Sequence, residues 1–298
     1  METKALLTGT LLTRTLLTTT PPFDGAAVFR YLASHGAPGV DDGDDTSYRR
    51  RVRLPDGTPG TGTADIELRL QGPVTVLCTT TLADQSALAP LERRIRRLLD
   101  LDTDSGEVDS HLAEDPVLAP LIVASPGIRL PGSLEPQESL FRTLIGQQIS
   151  IAAARTVTGN LVRQLSGDSR LFPTAAQIAV HGRDVLRGPA TRVATILRVA
   201  EALASGTLTV DETMSPDELI DTLVRVRGIG PWTAGYVALR VLSAPDVLLN
   251  TDLVLLRGAV RLGLPGTARG IADYARRWAP WRSYAGMHLW RAARMPPD

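Results

Sequence analysis

Residues 223–255, LVRVRGIGPWTAGYVALRVLSAPDVLLNTDLVL, constrain the chain more than any other stretch. An apolar helical run ends in Arg227-Gly228-Ile229-Gly230, and a second helix starts at once with Pro231-Trp232-Thr233. Glycines permit a turn that tight and leave the backbone bare, so amide N–H groups can approach an anion closely. The second helix begins at the same point and turns its positive end toward it. Twenty residues past Trp232 a lone carboxylate, Asp252, precedes Leu253-Val254-Leu255-Leu256. Each half also has a plainer use. An isolated Gly-x-Gly is more often an ordinary helix connection, and an Asp just before an apolar run is a good N-cap.

The surroundings divide into two patterns. Ala64, Ile66, Leu68 and Leu70 alternate with Asp65, Glu67 and Arg69, the period of a half-buried strand. Tyr48–Leu54 is its expected hairpin partner across the linker 55–62, which contains the turn dipeptide Asp56-Gly57, and Val74–Thr79 follows as a third strand. The Thr/Leu-rich opening, residues 6–20, reads as a strand rather than a signal peptide. Asp24 is placed to cap a short helix through Leu32, and Asp41–Asp45 reads as a solvated acidic turn. Leu88, Leu91, Ile95, Leu98 and Leu99 mark one face of a helix whose arginines, Arg93, Arg94, Arg96 and Arg97, are expected in solvent.

From about residue 111 the spacing becomes helical, with stripes over 137–149, 152–165, 192–204, 216–226, 232–242, 253–262 and 271–278. Ser215-Pro216-Asp217-Glu218 is a capping box with proline at the first helical position. The expected fold class is α+β: a small N-terminal antiparallel sheet domain with helices, residues 1–110, then an all-α domain, residues 111–298, that carries the hairpin.

Charge and composition narrow the chemistry. The net charge is zero, but residues 1–125 carry 12 basic and 18 acidic side chains, whereas residues 126–298 carry 20 and 14. A basic second half is a modest footprint for phosphate. Cys78 is the only cysteine, which rules out an internal disulfide, a four-thiolate zinc site and a cysteine-ligated cluster. Cytoplasmic residence is the default expectation. Lys4 is the only lysine, so a mechanism built on a lysine nucleophile is almost excluded. No apolar run approaches the roughly 20 residues of a membrane helix.

The hairpin Gly228–Ala234 with Asn250-Thr251-Asp252 resembles the helix-hairpin-helix DNA glycosylase superfamily, and within it the bacterial 3-methyladenine-DNA glycosylase II group. Leu144-Ile145-Gly146-Gln147-Gln148-Ile149-Ser150, Phe172-Pro173-Thr174, residues 278–285 and His288-Leu289-Trp290 match the same pattern, as does Pro21-Pro22-Phe23-Asp24 at the N-terminal sheet. The likeness covers essentially the whole chain. It implies Asp252 as the catalytic carboxylate, with Trp232, Tyr236 and Trp290 lining a base pocket and Tyr31 joining them from the N-terminal domain. It implies DNA contacts from Gly228, Gly230, Thr233 and Gln148. It also implies a monovalent cation, Na+ or K+, on the backbone oxygens of Val224, Val226 and Ile229, with no other cofactor required.

Two departures from the pattern matter. Trp232 stands where the superfamily's strand-cleaving members hold lysine, which implies hydrolysis without strand cleavage. Gln148 stands where the family's wedge is leucine, which leaves the wedge chemistry open. The implied activity is hydrolytic excision of alkylated purines, of the 3-methyladenine and 7-methylguanine type, from double-stranded DNA by a monomer. Such bases carry positive charge, and an aromatic pocket would attract them by cation–π contact. Two rivals remain: a glycosylase for oxidised or deaminated bases, and a catalytically idle DNA-binding module. A fused methyl-transfer domain would need a cysteine cluster and is not expected.

Overall fold

The computed structural model describes residues 3–7, 10–54 and 62–294; the 55–62 linker, with its Asp56-Gly57 turn, falls outside them except for Gly62. In chain order the strands and helices are β1 (Thr3–Leu7), β2 (Thr10–Thr18), α1 (Gly25–His35), β3 (Asp41–Gly43), β4 (Ser47–Arg53), β5 (Thr63–Gly72), β6 (Thr75–Leu82), α2 (Leu88–Leu99), α3 (Ser105–Leu112) and α4 (Ala119–Ala124). There follow α5 (Pro136–Gly146), α6 (Ile151–Ser166), α7 (Ala175–Val185), α8 (Ala190–Ala204), α9 (Pro216–Val224), α10 (Pro231–Leu242), α11 (Leu253–Arg261), α12 (Ala268–Tyr274) and α13 (Arg282–Ala292). The fold is α+β, an antiparallel sheet followed by helices.

Among the described residues the six strands are ordered β1-β2-β6-β5-β4-β3. Alternation places Ala64, Ile66 and Leu68 of β5 inward, and register pairs Leu68 with Cys78 and with Tyr48, so one face of the sheet is apolar. Val28 and Phe29 of α1 and Leu91 and Ile95 of α2 pack on that face. The threonine-rich opening forms two paired strands, β1 and β2, rather than one, with Leu7 opposite Thr10. Asp24 caps α1 by accepting from the Ala27 amide, as its position predicts, and the helix runs three residues past Leu32.

Two charged stretches depart in part from the sequence reading; Asp42, Asp44 and Asp45 are exposed as expected. Asp41 is not in a solvated turn. It begins β3 and its side chain is almost fully buried, with the carboxylate on Arg50, Arg142 and the Tyr48 hydroxyl. Burial alone would raise that carboxyl, but the two guanidiniums hold it below its ordinary value. Arg50, equally buried, also pairs with Glu138 of α5 at 2.8 Å and so ties sheet to helix. Of the four α2 arginines only Arg93 is exposed; Arg94 and Arg97 both reach Glu212, and Arg96 pairs with Asp102. Except for the Arg96–Asp102 pair, which closes within six residues, the partners lie about 90 residues away or more in sequence or across a strand pair.

The helices enclose two further cores. One gathers Leu140, Phe141, Leu144, Leu161, Phe172, Ile196, Leu223 and Val237; the other gathers Leu239, Leu255, Ile271, Trp278, Tyr284 and Leu289. Helix α3 crosses the 110/111 division expected from composition, and its Val108 and Leu112 belong to the second helical core. Four helices, α3, α4, α7 and α13, lie outside the periodic stripes of the sequence. Helix α13 is buried on several sides, so it has no clean stripe. Helix α7 begins with a capping box, Thr174 with Gln177, a start signal that was present in the sequence.

Candidate active site

Helix α9 starts at the capping box of Ser215 and Glu218 and ends at Val224, and α10 starts seven residues later, at Pro231. The turn between them rests on Gly228, whose φ of +101° suits glycine and whose missing Cβ leaves room for the Thr195 hydroxyl. Gly230 is different. It is the extended N-cap of α10, nothing crowds it, and Pro231 at N1 leaves the next turn's amides exposed to the loop side. Thr233 does not belong to that surface. It is buried, and its hydroxyl accepts from Gln147 Nε2 at 2.8 Å.

On one face of α10, Trp232, Tyr236 and Arg240 follow at i, i+4 and i+8 and so stand one above another. The Trp232 and Tyr236 rings are stacked with centroids 5.3 Å apart, and Trp290 of α13 meets Tyr236 edge-on at 6.3 Å. Tyr31 of α1 closes the group, its hydroxyl 3.0 Å from that of Tyr236. The four aromatic residues expected in the pocket are thus brought together from three helices that are distant in sequence.

Asp252 is both an N-cap and more. Its Oδ1 accepts from the amides of Val254 and Leu255 at 2.9 and 2.8 Å, the ordinary cap. The Trp290 Nε1 donates to the same oxygen at 3.1 Å, and Trp232 Nε1 donates to Oδ2 at 2.9 Å. A carboxylate held by four donors has its position fixed from two sides. It stays half-exposed at the rim of a cavity of about 680 Å³ that runs between α1, α5, α10 and α13. Trp278, by contrast, is wholly core: its indole donates to the buried Asp115.

Arg240 was not expected in this site. Its guanidinium lies 4.4 Å from the Tyr31 centroid, 4.9 Å from that of Tyr236 and 5.8 Å from that of Trp290. Its Nη1 donates to the Pro131 carbonyl at 2.8 Å, and its Nε has no partner. Burial alone would raise the Tyr236 phenol, but Arg240 and the Tyr31 hydrogen bond bring it below its ordinary value. For Tyr31 burial dominates and its phenol is raised. His35 stacks on Tyr31 at 4.1 Å and is pushed down to about 4 by burial and by Arg240, so the ring is neutral. The i+8 spacing from Trp232 was the available signal for Arg240. Its consequence is that part of the aromatic surface already faces a resident cation.

Gln148 follows α5 with φ of +59°, exposed at the turn into α6 and beside the cavity residues Gly146, Ile149 and Ile151. Around the hairpin, the Ile229 amide donates to the Val226 carbonyl at 3.0 Å, and Val224 ends α9, where carbonyls lack helical partners. Among the described residues no group of three or more His, Cys, Asp or Glu is placed to hold a metal, and no helix is long and apolar enough to cross a membrane.

Comparison with known proteins agrees with this geometry. Residues 14–135 match the family model for the AlkA N-terminal domain. The chain is 30% identical over 296 residues to DNA-3-methyladenine glycosylase 2 of Escherichia coli, covering 93% of this chain and 97% of that one. It is 34% identical over 283 residues to a probable bifunctional transcriptional activator/DNA repair enzyme AlkA of Mycobacterium tuberculosis, covering 92% of this chain but only 56% of that protein. In structure it is similar to 3-methyladenine DNA-glycosylase from Archaeoglobus fulgidus, with a TM-score of 0.78 and 20% identity over 94% of this chain and 98% of that one. From the hairpin, the fixed aspartate and the near full-length match to the E. coli protein, the chain belongs to the DNA-3-methyladenine glycosylase 2 (AlkA) family.

Proposed function

We propose that this protein is a monofunctional DNA glycosylase that flips an alkylated purine out of double-stranded DNA, hydrolyses its glycosidic bond and leaves an abasic site. The observation that carries the reading is Asp252, held by Trp232 and Trp290 at the rim of an aromatic cavity one helix away from a Gly-x-Gly turn. A base inside a duplex cannot be reached in the stack, so it must be turned out into a pocket. The Gly228–Gly230 turn and the first amides of α10 hold the backbone, the base enters the cavity, and its sugar comes to rest beside Asp252. As the C1′–N bond breaks, its electron pair leaves with the base and the sugar becomes cationic. Asp252 stabilises that charge, and water adds to C1′ with loss of a proton.

The name of the E. coli relative supports the 3-methyladenine substrate class. Strand cleavage is not part of the reaction, because Trp232 offers no amine and Lys4 is the only lysine in the chain. Gln148, exposed beside the cavity, enters the space left in the duplex and hydrogen-bonds the orphaned base. The carbonyls of Val224, Val226 and Ile229 suit a monovalent cation, since the open end of α9 is the negative end of its dipole. The protein acts as a monomer in the cytoplasm.

Incubation with duplexes containing 3-methyladenine, 7-methylguanine, hypoxanthine or 8-oxoguanine tests the reading through the free base released. Release of the alkylated purines with strands intact until alkali treatment is expected. Release of 8-oxoguanine alone, or strand cleavage without alkali, contradicts it.

A further inference from the structure

We infer that Arg240 is a specificity-determining residue of this pocket, a fixed cation that favours bases entering neutral over bases entering already charged. The inference rests on the glycosylase reading above and deepens it.

Three observations carry it. Arg240 is almost fully buried, yet it lines the same cavity as Asp252, Trp232 and Trp290. Among the described residues no carboxylate lies within 4.0 Å of its guanidinium, so its charge is not neutralised by an ion pair. It stands eight residues past Trp232 on one face of α10, about 12 Å along the axis at 1.5 Å per residue. Trp232 is bonded to Asp252. The aromatic ladder therefore ends in a carboxylate on the sugar side and a guanidinium on the base side. Arg240 lies 4.9 Å from the Tyr236 centroid, so its charge acts directly on the ring between them.

The orientation matters because of where electrons go. Breaking the C1′–N bond moves an electron pair from sugar to base. A neutral purine thus becomes anionic and an N7-alkylated purine becomes neutral. Asp252 meets the charge appearing on the sugar, and Arg240 meets the charge arriving on the base. For a neutral base this attraction develops only in the transition state, so it raises kcat with little effect on binding. A cationic base is repelled when it binds, and the repulsion eases as the bond breaks. Its binding weakens for the same reason that its bond-breaking step quickens. The ratio of kcat/KM for neutral over cationic bases therefore carries the full effect of Arg240.

Single-turnover excision of hypoxanthine and of 7-methylguanine, each over a range of enzyme concentrations, tests this in wild type, Arg240→Gln and Arg240→Lys. The Gln variant is expected to lower the hypoxanthine to 7-methylguanine ratio of kcat/KM at least tenfold. Half-saturation should improve for 7-methylguanine and stay unchanged for hypoxanthine. The Lys variant, which keeps the charge, should restore most of the ratio. Equal losses on both substrates in Gln and Lys alike mean a purely structural role and overturn the inference. Arg240→Met, whose stem still covers the Tyr31 ring, carries the same comparison where the Gln variant does not fold. Wild-type protein that releases neither base overturns the glycosylase reading and this inference together. Release of both with an unchanged ratio in the variants overturns Arg240 alone.

Discussion

The indole Nε1 of Trp232 donates to Oδ2 of Asp252 at 2.9 Å, joining the first turn of α10 to the N-cap of α11 across 20 residues of chain. The bond explains why a residue that caps a helix can also face a cavity. The cap occupies Oδ1, shared with Trp290, while Trp232 holds Oδ2 and fixes the plane of the carboxylate. An ordinary N-cap uses one oxygen and leaves the other to water.

Trp232→Phe keeps a ring against Tyr236 and removes the donor. Base release is expected to fall roughly tenfold, the cost of losing about 1.4 kcal/mol of positioning, while thermal stability changes little. Trp290→Phe is expected to act in the same direction. Rates indistinguishable from wild type in both variants would show that the indoles merely pack.

Gly228 and Gly230 are expected to differ although they flank a single residue. An alanine methyl at 228 would require an unfavourable φ and overlap the Thr195 hydroxyl. Gly228→Ala should therefore cost about 1–3 kcal/mol or more in urea unfolding. Gly230 has open space at its Cβ position, so Gly230→Ala should stay within about 0.5 kcal/mol of wild type. Duplex affinity measured on the folded Gly230→Ala protein then reports whether the bare backbone is needed for phosphate.

Much of this site was legible because its signals are local. The turn, the proline at the first position of α10, and Asp252 before an apolar run all lie within 30 residues of one another. Alternation identified β5 for the same reason: a period of two needs only one strand to be visible. Arg50, Asp41 and Glu138 were not legible. Their charges read as surface until the fold buries them together, and nothing in an Arg-rich strand says which carboxylate will oppose it. Arg240 lies between these cases. Its spacing from Trp232 was visible, but only the arrival of Tyr31 from α1 turns an ordinary helix arginine into a pocket residue.

The Arg50 cluster makes a stability prediction. Arg50 pairs with Glu138 and Asp41 with almost no exposure, so Arg50→Met leaves two buried carboxylates sharing Arg142. Denaturant unfolding should show a loss of about 3–5 kcal/mol. A loss below about 1 kcal/mol would mean that the cluster is hydrated in solution.

His288 predicts an acid dependence. It is buried in α13 with no partner on either ring nitrogen, and burial with Arg291 nearby pushes it down to about 4 from 6.5. The folded state then holds a neutral ring while the unfolded chain takes up a proton. Stability is fully present above pH 6.5 and falls as the pH drops toward 4. Between pH 7 and 4.5 this group should remove about 2–3 kcal/mol. Urea unfolding of His288→Leu should lack that share of the acid loss; equal pH slopes in the two proteins would contradict it.

The most direct measurement is base release by Asp252→Asn on a 7-methylguanine duplex, with duplex affinity and thermal unfolding recorded on the same preparation. Asparagine still caps α11 but carries no charge and turns an amide N–H toward Trp232, so stability should fall by about 1–2 kcal/mol. The account predicts single-turnover release at least about 100-fold slower with duplex affinity retained. Release within a few-fold of wild type would contradict it and leave Asp252 a helix cap alone.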